Sequence, residues 1–515
     1  MSESRTIKSL KNAQVSLFFY VLDLILGFWS RKVFLDYLGA EIMGLDTTAQ
    51  NLFSFLNLAE LGVSMSVTYF LYKPMFYKDH ESVNKIVALQ GWIYKRVASI
   101  IIIGACILML FFPIFFKNAK VPLWYSYAIF SVILFGSMLG YFINYKSIVL
   151  TTDQKGYKVT KATKSFYTGI KILQILLFPI VSNPFIFYLV TYIASQLFGC
   201  LWLNKVIKKE YPWLKTKGYN GKKLLKEYPD VLKKTKQLFI HKITTVIVFR
   251  SSPIIMYVFS SLTVVAYYGN YTSVLSHITS MINMVFSSMG AAIGNLIASG
   301  DKVKILRVFW ELYDSRFCIS SIGFVCIYFL IHPFFAVWIG EQYILGKTFL
   351  VLVIFNSWFT LTRLTVDHYI NGYGLFQDVW APMAEGAINI IGALLFSYFW
   401  DFKGVLLGNI LSQLTIVCCW KPYMLFKKGL HEPSKLYFLP IIYRHLLIIF
   451  DVILLHYIFG LFLPSLMHSY LQFFFYGFIV FIIVSIIILG EFLLFSQGIR
   501  DFINRMILLH KGKFK

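Results

Sequence analysis

Long apolar runs alternate with short polar interruptions along the whole chain. One helical crossing of a bilayer needs about 20 apolar residues. At that length the pattern predicts fourteen transmembrane helices, at about 13–37, 43–71, 96–116, 122–144, 160–182, 184–204, 238–260, 264–298, 316–338, 347–371, 379–399, 404–426, 439–462 and 470–496. Several contain Gly or Pro, which membrane helices tolerate. The fifth and seventh are the most polar. The second and eighth are the longest and are expected to tilt, kink or extend past the bilayer.

Composition agrees with an all-α polytopic membrane protein. Of the 515 residues, 58% are hydrophobic and 14% charged, against about 25% charged in soluble domains. This excludes an ordinary cytosolic enzyme, a disordered chain and a disulfide scaffold. The six cysteines all fall within spans and read as buried apolar side chains, so neither disulfides nor a metal site is expected.

The charge is lopsided, with 48 Lys and Arg against 24 Asp and Glu. With the N-terminus in the cytosol, 38 basic residues lie at the inner side and four (Lys117, Lys120, Lys347, Lys403) at the outer side. Lysine and arginine concentrate on cytoplasmic loops, so both termini are expected in the cytoplasm. The positive charge is thus accounted for by topology, and no nucleic-acid partner is expected. The polar N-terminus precedes a span too long for a signal peptide. The loop 205–237 is strongly basic, and Lys222–Lys236 reads as an amphipathic helix on anionic lipid, as does the tail from Gln497.

Polar residues inside the spans narrow the function. Thr47, Gln50, Ser54, Asn57, Glu60 and Ser64 share one face of the second helix. Asn270, Ser273, His277, Ser280, Asn283 and Ser287 repeat the spacing on the eighth, offset by 223 residues. This suggests two pseudo-symmetric six-helix lobes around a cavity, plus two extra helices. The corresponding boundaries are 1–204, the basic loop 205–237, 238–430, and 431–515. The alternative reading of these small polar residues is packing between helices.

Lys171 and Arg250 lie too deep to reach water, Arg31 lies in the outer part of the first helix, and all three need an anionic partner or substrate. Arg363 and Asp367, four residues apart, read as a salt bridge. Asp23 and Glu60 are available to pair with Arg31 or Lys171, and Glu385 forms a polar pair with Asn389. No nucleotide-binding or hydrolytic motif occurs. Gly340–Thr348 approximates a phosphate loop with one residue too many and is read as chance. No cofactor is expected, and the chain reads as a secondary transporter without its own ATPase, or as a scaffold.

Three stretches carry a resemblance. The run 37–75 (YLGAEIMGLDTTAQNLFSFLNLAELGVSMSVTYFLYKPM) resembles the helix 1–2 region of Wzx-type O-antigen and capsule flippases, in the MATE-like MOP superfamily. The runs 238–249 (LFIHKITTVIVF) and 267–276 (YYGNYTSVLS) are similar to that family's helix 7–8 entry. The run 374–396 (GLFQDVWAPMAEGAINIIGALLF), continued by 419–430 (CWKPYMLFKKGL), is the third match. The chain departs from the family at Arg250-Ser251-Ser252-Pro253, where relatives often carry an acidic-polar turn.

The resemblance implies a bacterial inner-membrane flippase for surface polysaccharide, such as lipopolysaccharide O-antigen or capsule. It would move polyprenyl-diphosphate-linked oligosaccharide outward by alternating access, beside polysaccharide assembly proteins. Lys171, Arg250, Arg31 and Arg363 are then candidates for the diphosphate. Glu60, Asp23, His277, Asn57, Gln50, Asn283, Asp367 and Glu385 are candidates for the sugar cavity or a coupling ion. Two rivals remain: a MATE-like exporter of small cations, whose cavity would be acidic, and a scaffold for glycosyltransferases.

Overall fold

The computed structural model describes residues 5–60, 62–286, 293–294, 296–297, 299–375, 378, 380–462, 464, 467 and 469–510. Ser287, the residues 376, 377 and 379 of the third resemblance run, and the end of the tail beyond 510 lie outside the described residues.

The described chain is helical throughout. Its main elements are α1 (Arg5–Leu56), α2 (Val63–Tyr77), α3 (His80–Leu110), α4 (Leu123–Phe142), α5 (Gly156–Leu177), α6 (Pro184–Glu210), α7 (Pro229–Val258) and α8 (Leu262–Val285). They continue as α9 (Lys302–Trp338), α10 (Lys347–Thr362), α11 (Leu364–Gly372), α12 (Trp380–Ser412), α13 (Lys435–Gly460), α14 (Tyr470–Phe495) and α15 (Gln497–His510). Among the described residues, nine segments are long and apolar enough to cross a membrane.

Two of those segments are too long for one crossing. Lys11–Leu56 has 46 residues and Trp380–Leu430 has 51. At 1.5 Å per residue they would run about 70 Å or more, against a hydrocarbon core of about 30 Å. Each contains a break. In α1 it is Gly39, at φ 78° and ψ 168°. In α12 it is Trp400–Asp401, where Asp401 takes φ 49° and ψ −143°. α5, α7 and α8 have the length to cross but are diluted by Lys, Arg, Asn and Ser. Counting these three and dividing the long segments at their breaks, the described helices supply fourteen segments, as the apolar pattern predicts.

Small residues bring the two halves of α12 together. The Cα of Gly408 packs on the backbone of Gly392 and Ala393, and a Cβ there would meet Ala393 N at 2.2 Å. Gly404, four residues earlier, faces the backbone of Phe396 and Ser397 equally closely. Small residues at this spacing allow close helix approach in membranes. Asn389 adds a polar link, donating to Asn409 Oδ1 at 2.7 Å and to Ser412 Oγ at 3.3 Å. Gly408→Val is therefore expected to cost about 1–3 kcal/mol through overpacking. Gly460→Ala, with nothing within 4 Å of its Cβ, serves as the near-neutral control in thermal unfolding.

The basic segment 205–237 is divided. A short helix, Gly221–Glu227, ends at Tyr228, and α7 starts directly at Pro229. Proline favours the first helical position because its missing N–H has no intrahelical partner there. The segment packs on protein: Gly221 sits against the Trp92 ring, and Ser66 donates to the Val231 carbonyl at 2.8 Å. The sequence places one amphipathic helix over Lys222–Lys236; the structure instead gives that stretch to two helices with buried anchor points. The tail helix α15 is likewise tied down, through Arg505 and Glu311 at 2.9 Å.

The chain forms two compact units, Met1–Ala266 and Tyr267–Lys515. α7 belongs to the first, where it packs on α1 and α2.

Candidate functional site

In the first unit, a cavity of about 810 Å³ opens beside the end of α1. α1 closes in a 3-10 turn, Asn57–Glu60, and Gly62 follows at φ 91°. That turn carries the two deepest members of the predicted polar stripe. Asn57 accepts a hydrogen bond from Tyr141. Glu60 Oε1 accepts one from Tyr94 at 2.7 Å, and the Tyr94 hydroxyl also bonds Ser64 Oγ at 2.9 Å. The Tyr94 and Tyr141 rings meet edge to face at 5.1 Å. Tyr69, Tyr72 and Lys234 complete the wall, with the Lys234 ammonium 5.4 Å from the Tyr69 ring centre. The lining is thus rich in aromatic faces and hydroxyls, with one carboxylate and one ammonium.

A second cluster in this unit is built around tyrosines of α5 and α6. Lys164 forms an ion pair with Asp23. The Lys171 ammonium lies 4.5 Å from the Tyr167 ring centre. Among the described residues, no carboxylate comes within 4.0 Å of Lys171. Asp46 accepts from Gln50 at 2.7 Å and from Tyr188 at 3.0 Å. Arg31 interacts electrostatically with Asp46 and donates to the Ala266 carbonyl at 3.3 Å. Tyr167 lies within the field of both Asp23 and Asp46, which joins the two groups. Three cations (Arg31, Lys164, Lys171) thus face two carboxylates.

Asp46 was not among the expected site residues. Its signal was present, since it stands four residues before Gln50 on the same helical face. Gln50 itself is committed to Asp46, while Thr47 and Ser54 return their hydroxyls to α1 carbonyls. Arg250 is exposed on α7, beside buried Ser251 and Ser252.

The second unit holds a separate charge network. Arg363 pairs with Asp367 at 2.6 Å, as their spacing predicts. Lys421 lies 3.9 Å from Asp367 and 3.7 Å from Glu385. Glu385 therefore reaches Lys421, while Asn389 bonds across the α12 break. Arg316, also missed in the sequence because it sits at a span end, is 1% exposed. It donates to Asn283 at 3.3 Å and stacks over Phe286 at 4.6 Å. His277 is half-buried on α8.

A further basic cluster lies where the N-terminal part of α1 meets the loop before α5. Lys8 and Lys155 both pair with Asp153, at 2.7 and 2.8 Å, and Lys158 pairs with Glu210. Burial opposes ionisation of Asp153, but hydrogen bonds from Lys155, Lys8 and Tyr211 outweigh it and hold the carboxyl below its usual range. These lysines are matched by carboxylates and read as structural.

The helices and their breaks define an all-α, multi-pass membrane fold with polar and charged groups inside its helical units. The chain has the fold of two solved membrane transporters. The lipid II flippase MurJ, in an inward closed conformation, matches with a TM-score of 0.61 at 15% identity, over 93% of this chain and 98% of that one. An inward-facing multidrug-resistance MATE family transporter of the MOP superfamily matches with a TM-score of 0.54 at 13% identity, over 81% of this chain and 99% of that one. No family model and no curated protein sequence matches the chain.

Proposed function

We propose that the chain is a flippase for polyprenyl-diphosphate-linked oligosaccharides, acting from the cytoplasmic to the outer leaflet of a bacterial inner membrane in surface polysaccharide biosynthesis. Both termini lie in the cytoplasm, in keeping with the distribution of Lys and Arg. Two lobes alternate access, the first of them reaching to α7, which packs on α1 and α2. The observation that carries this reading is the cavity of about 810 Å³ bounded by Asn57, Glu60, Tyr94 and Tyr141. Its volume falls in the usual range of ligand sites, about 300–1,000 Å³. Tyrosine faces suit the apolar sides of sugar rings, and the hydroxyl, amide and carboxylate groups suit their hydroxyls.

The diphosphate requires cations. Lys171 fits best, held against the Tyr167 ring with no carboxylate within 4.0 Å among the described residues; Arg250 and Arg31 are further candidates. Arg363 is committed to Asp367 and is the weakest of the four. Glu60 is the candidate for proton uptake from the cavity, with Asp23 and His277 behind it.

The test is flipping of a defined lipid-linked oligosaccharide in proteoliposomes. Lys171→Gln is expected to lower the rate about tenfold or more, because a charge-assisted hydrogen bond is worth about 1.5–3 kcal/mol. Arg250→Gln is expected to act in the same direction. Wild-type rates in both variants and in their combination would remove the diphosphate role. Transport of small organic cations with no lipid flipping would establish the exporter reading instead.

A further inference from the structure

A cavity of about 450 Å³ opens where α9, α13 and α15 of the second unit meet, and the flippase reading does not use it. Val303, Arg307, Trp310 and Asp314 recur at intervals of three and four residues, so one face of α9 lines it. Lys302 at the start of α9, Glu432 before α13, Arg444 on α13 and Asp501 on α15 complete its charged lining. Three cations and three carboxylates thus surround one space.

Arg444 and Asp314 are paired at 2.8 Å, yet each keeps a buried polar atom with nothing to bond. Asp314 Oδ1 lacks a donor and Arg444 Nε lacks an acceptor. Buried polar atoms are ordinarily satisfied. Among the described residues, Lys302, Arg307, Glu432 and Asp501 form no ion pair within 4.0 Å. The cavity therefore offers unserved donors and unserved acceptors together. A simple anion would leave the carboxylates unmatched, and a simple cation would leave the Lys and Arg side chains unmatched. A ligand carrying both signs serves all of them.

The cavity also borders on apolar surface. Val303 is exposed, as are Leu436, Leu439 and Tyr443 in the first turns of α13 and Leu494 and Phe495 at the end of α14. The Tyr443 and Phe495 rings lie 6.4 Å apart, which joins the two apolar stretches. Tyr443 directly precedes Arg444, and Phe495 stands two residues before Gln497, both of which line the cavity. Aromatic rings at such a boundary mark the level of the headgroups in a membrane fold.

We propose that this cavity binds the headgroup of a zwitterionic membrane phospholipid, one with a phosphodiester and a primary ammonium joined by two carbons. Lys302, Arg307 and the Arg444 Nε take the phosphate. Glu432, Asp501 and Asp314 Oδ1 take the ammonium. The acyl chains lie along the apolar edge of α13 and α14. The volume falls in the usual range of ligand sites, about 300–1,000 Å³. A lipid bound there braces α9 against α13 and α15. The site lies within the second unit and does not depend on the substrate proposed above.

The test is native mass spectrometry of the delipidated full chain in detergent, titrated with lipids that differ only in the headgroup. Phosphatidylethanolamine is the probe. Phosphatidylglycerol keeps the phosphodiester and lacks the ammonium, and phosphatidylcholine carries a positive charge with no N–H to donate. The wild type is expected to bind phosphatidylethanolamine about tenfold or more tightly than either, the usual effect of a hydrogen bond between charged groups. Glu432→Gln with Asp501→Asn is expected to erase that preference and leave phosphatidylglycerol binding at or above its wild-type level. Lys302→Gln with Arg307→Gln is expected to weaken binding of all three lipids. None of the four side chains is buried, so both double variants are recoverable, and either alone reads the site. Equal affinity of the wild type for the three lipids, or an unchanged preference in Glu432→Gln with Asp501→Asn, would overturn the proposal. Binding of water-soluble glycerophosphoethanolamine as tightly as the lipid would assign the cavity to a soluble compound and overturn its role as a lipid site.

Discussion

Replacing Asp314 by Ala is expected to destabilise the protein by about 3–5 kcal/mol, the usual result of removing one partner from a buried ion pair. Asp314 is 0% exposed. Its Oδ2 accepts from Arg444 at 2.8 Å and from Ser496 at 2.6 Å. The Arg444 guanidinium also lies 4.7 Å from the Trp310 ring centre. The carboxylate therefore ties α9 to α13 and to the junction between α14 and α15. Gly498 fits against it with no room for a side chain, since a Cβ would meet Asp314 Oδ2 at 2.5 Å. Without Asp314, Arg444 is left charged and unmatched in a desolvated position. Thermal unfolding in detergent reads the loss. Asp314→Leu combined with Arg444→Met should recover most of it, because an apolar pair of similar volume avoids the desolvation cost of both charges. A change below about 0.5 kcal/mol in Asp314→Ala, within the range of ordinary surface substitutions, would mean that the pair contributes nothing to stability.

Asp314 illustrates what the sequence does and does not disclose. The apolar runs reveal the spans because burying backbone in lipid demands long helices. The breaks at Gly39 and Trp400–Asp401 fall in the short gaps the pattern leaves between spans, 37 to 43 and 399 to 404. The pattern does not reveal the backbone angles there, nor the 3-10 turn at Asn57–Glu60 inside the second span, since hydropathy is blind to backbone conformation. Pro229 is a helix-start signal that the charge pattern of the basic segment masks. The pairing of Arg363 with Asp367 is legible because they stand four residues apart, from the α10–α11 junction into α11.

Pairs between distant elements are not legible in this way. Arg31 with Asp46 and Arg444 with Asp314 depend on which faces the fold brings together. Arg316 was hidden differently: it lies at the end of a span, where a cation is ordinarily explained by orientation, yet it is fully buried. The deep cations singled out from sequence consequently fall into different settings. Lys171 meets an aromatic ring, Arg31 lies near a carboxylate, Arg363 is paired, and Arg250 is exposed.

Filling the first-unit cavity is expected to give the largest loss of transport. Gly140 lines it, and a Cβ at Gly140 would meet nothing within 4 Å. Gly140→Trp can thus project a large side chain into the space without displacing backbone. A flippase that lodges its sugar there should lose at least about 1.4 kcal/mol of productive binding, which is tenfold, while its thermal unfolding stays close to wild type. Polar substitutions refine the test. Tyr94→Phe removes the hydroxyl that joins Glu60 and Ser64, and loss of a hydrogen bond to a charged group costs about 1.5–3 kcal/mol. That effect divides between sugar contact and control of Glu60, so the two are separated by Glu60→Gln. If Glu60 carries the coupling proton, Glu60→Gln abolishes the response of flipping to an imposed pH gradient and leaves substrate binding in place. If Glu60 only contacts sugar, the response to the gradient persists at a lower rate. Unchanged flipping in Gly140→Trp would remove this part of the cavity from the transport path.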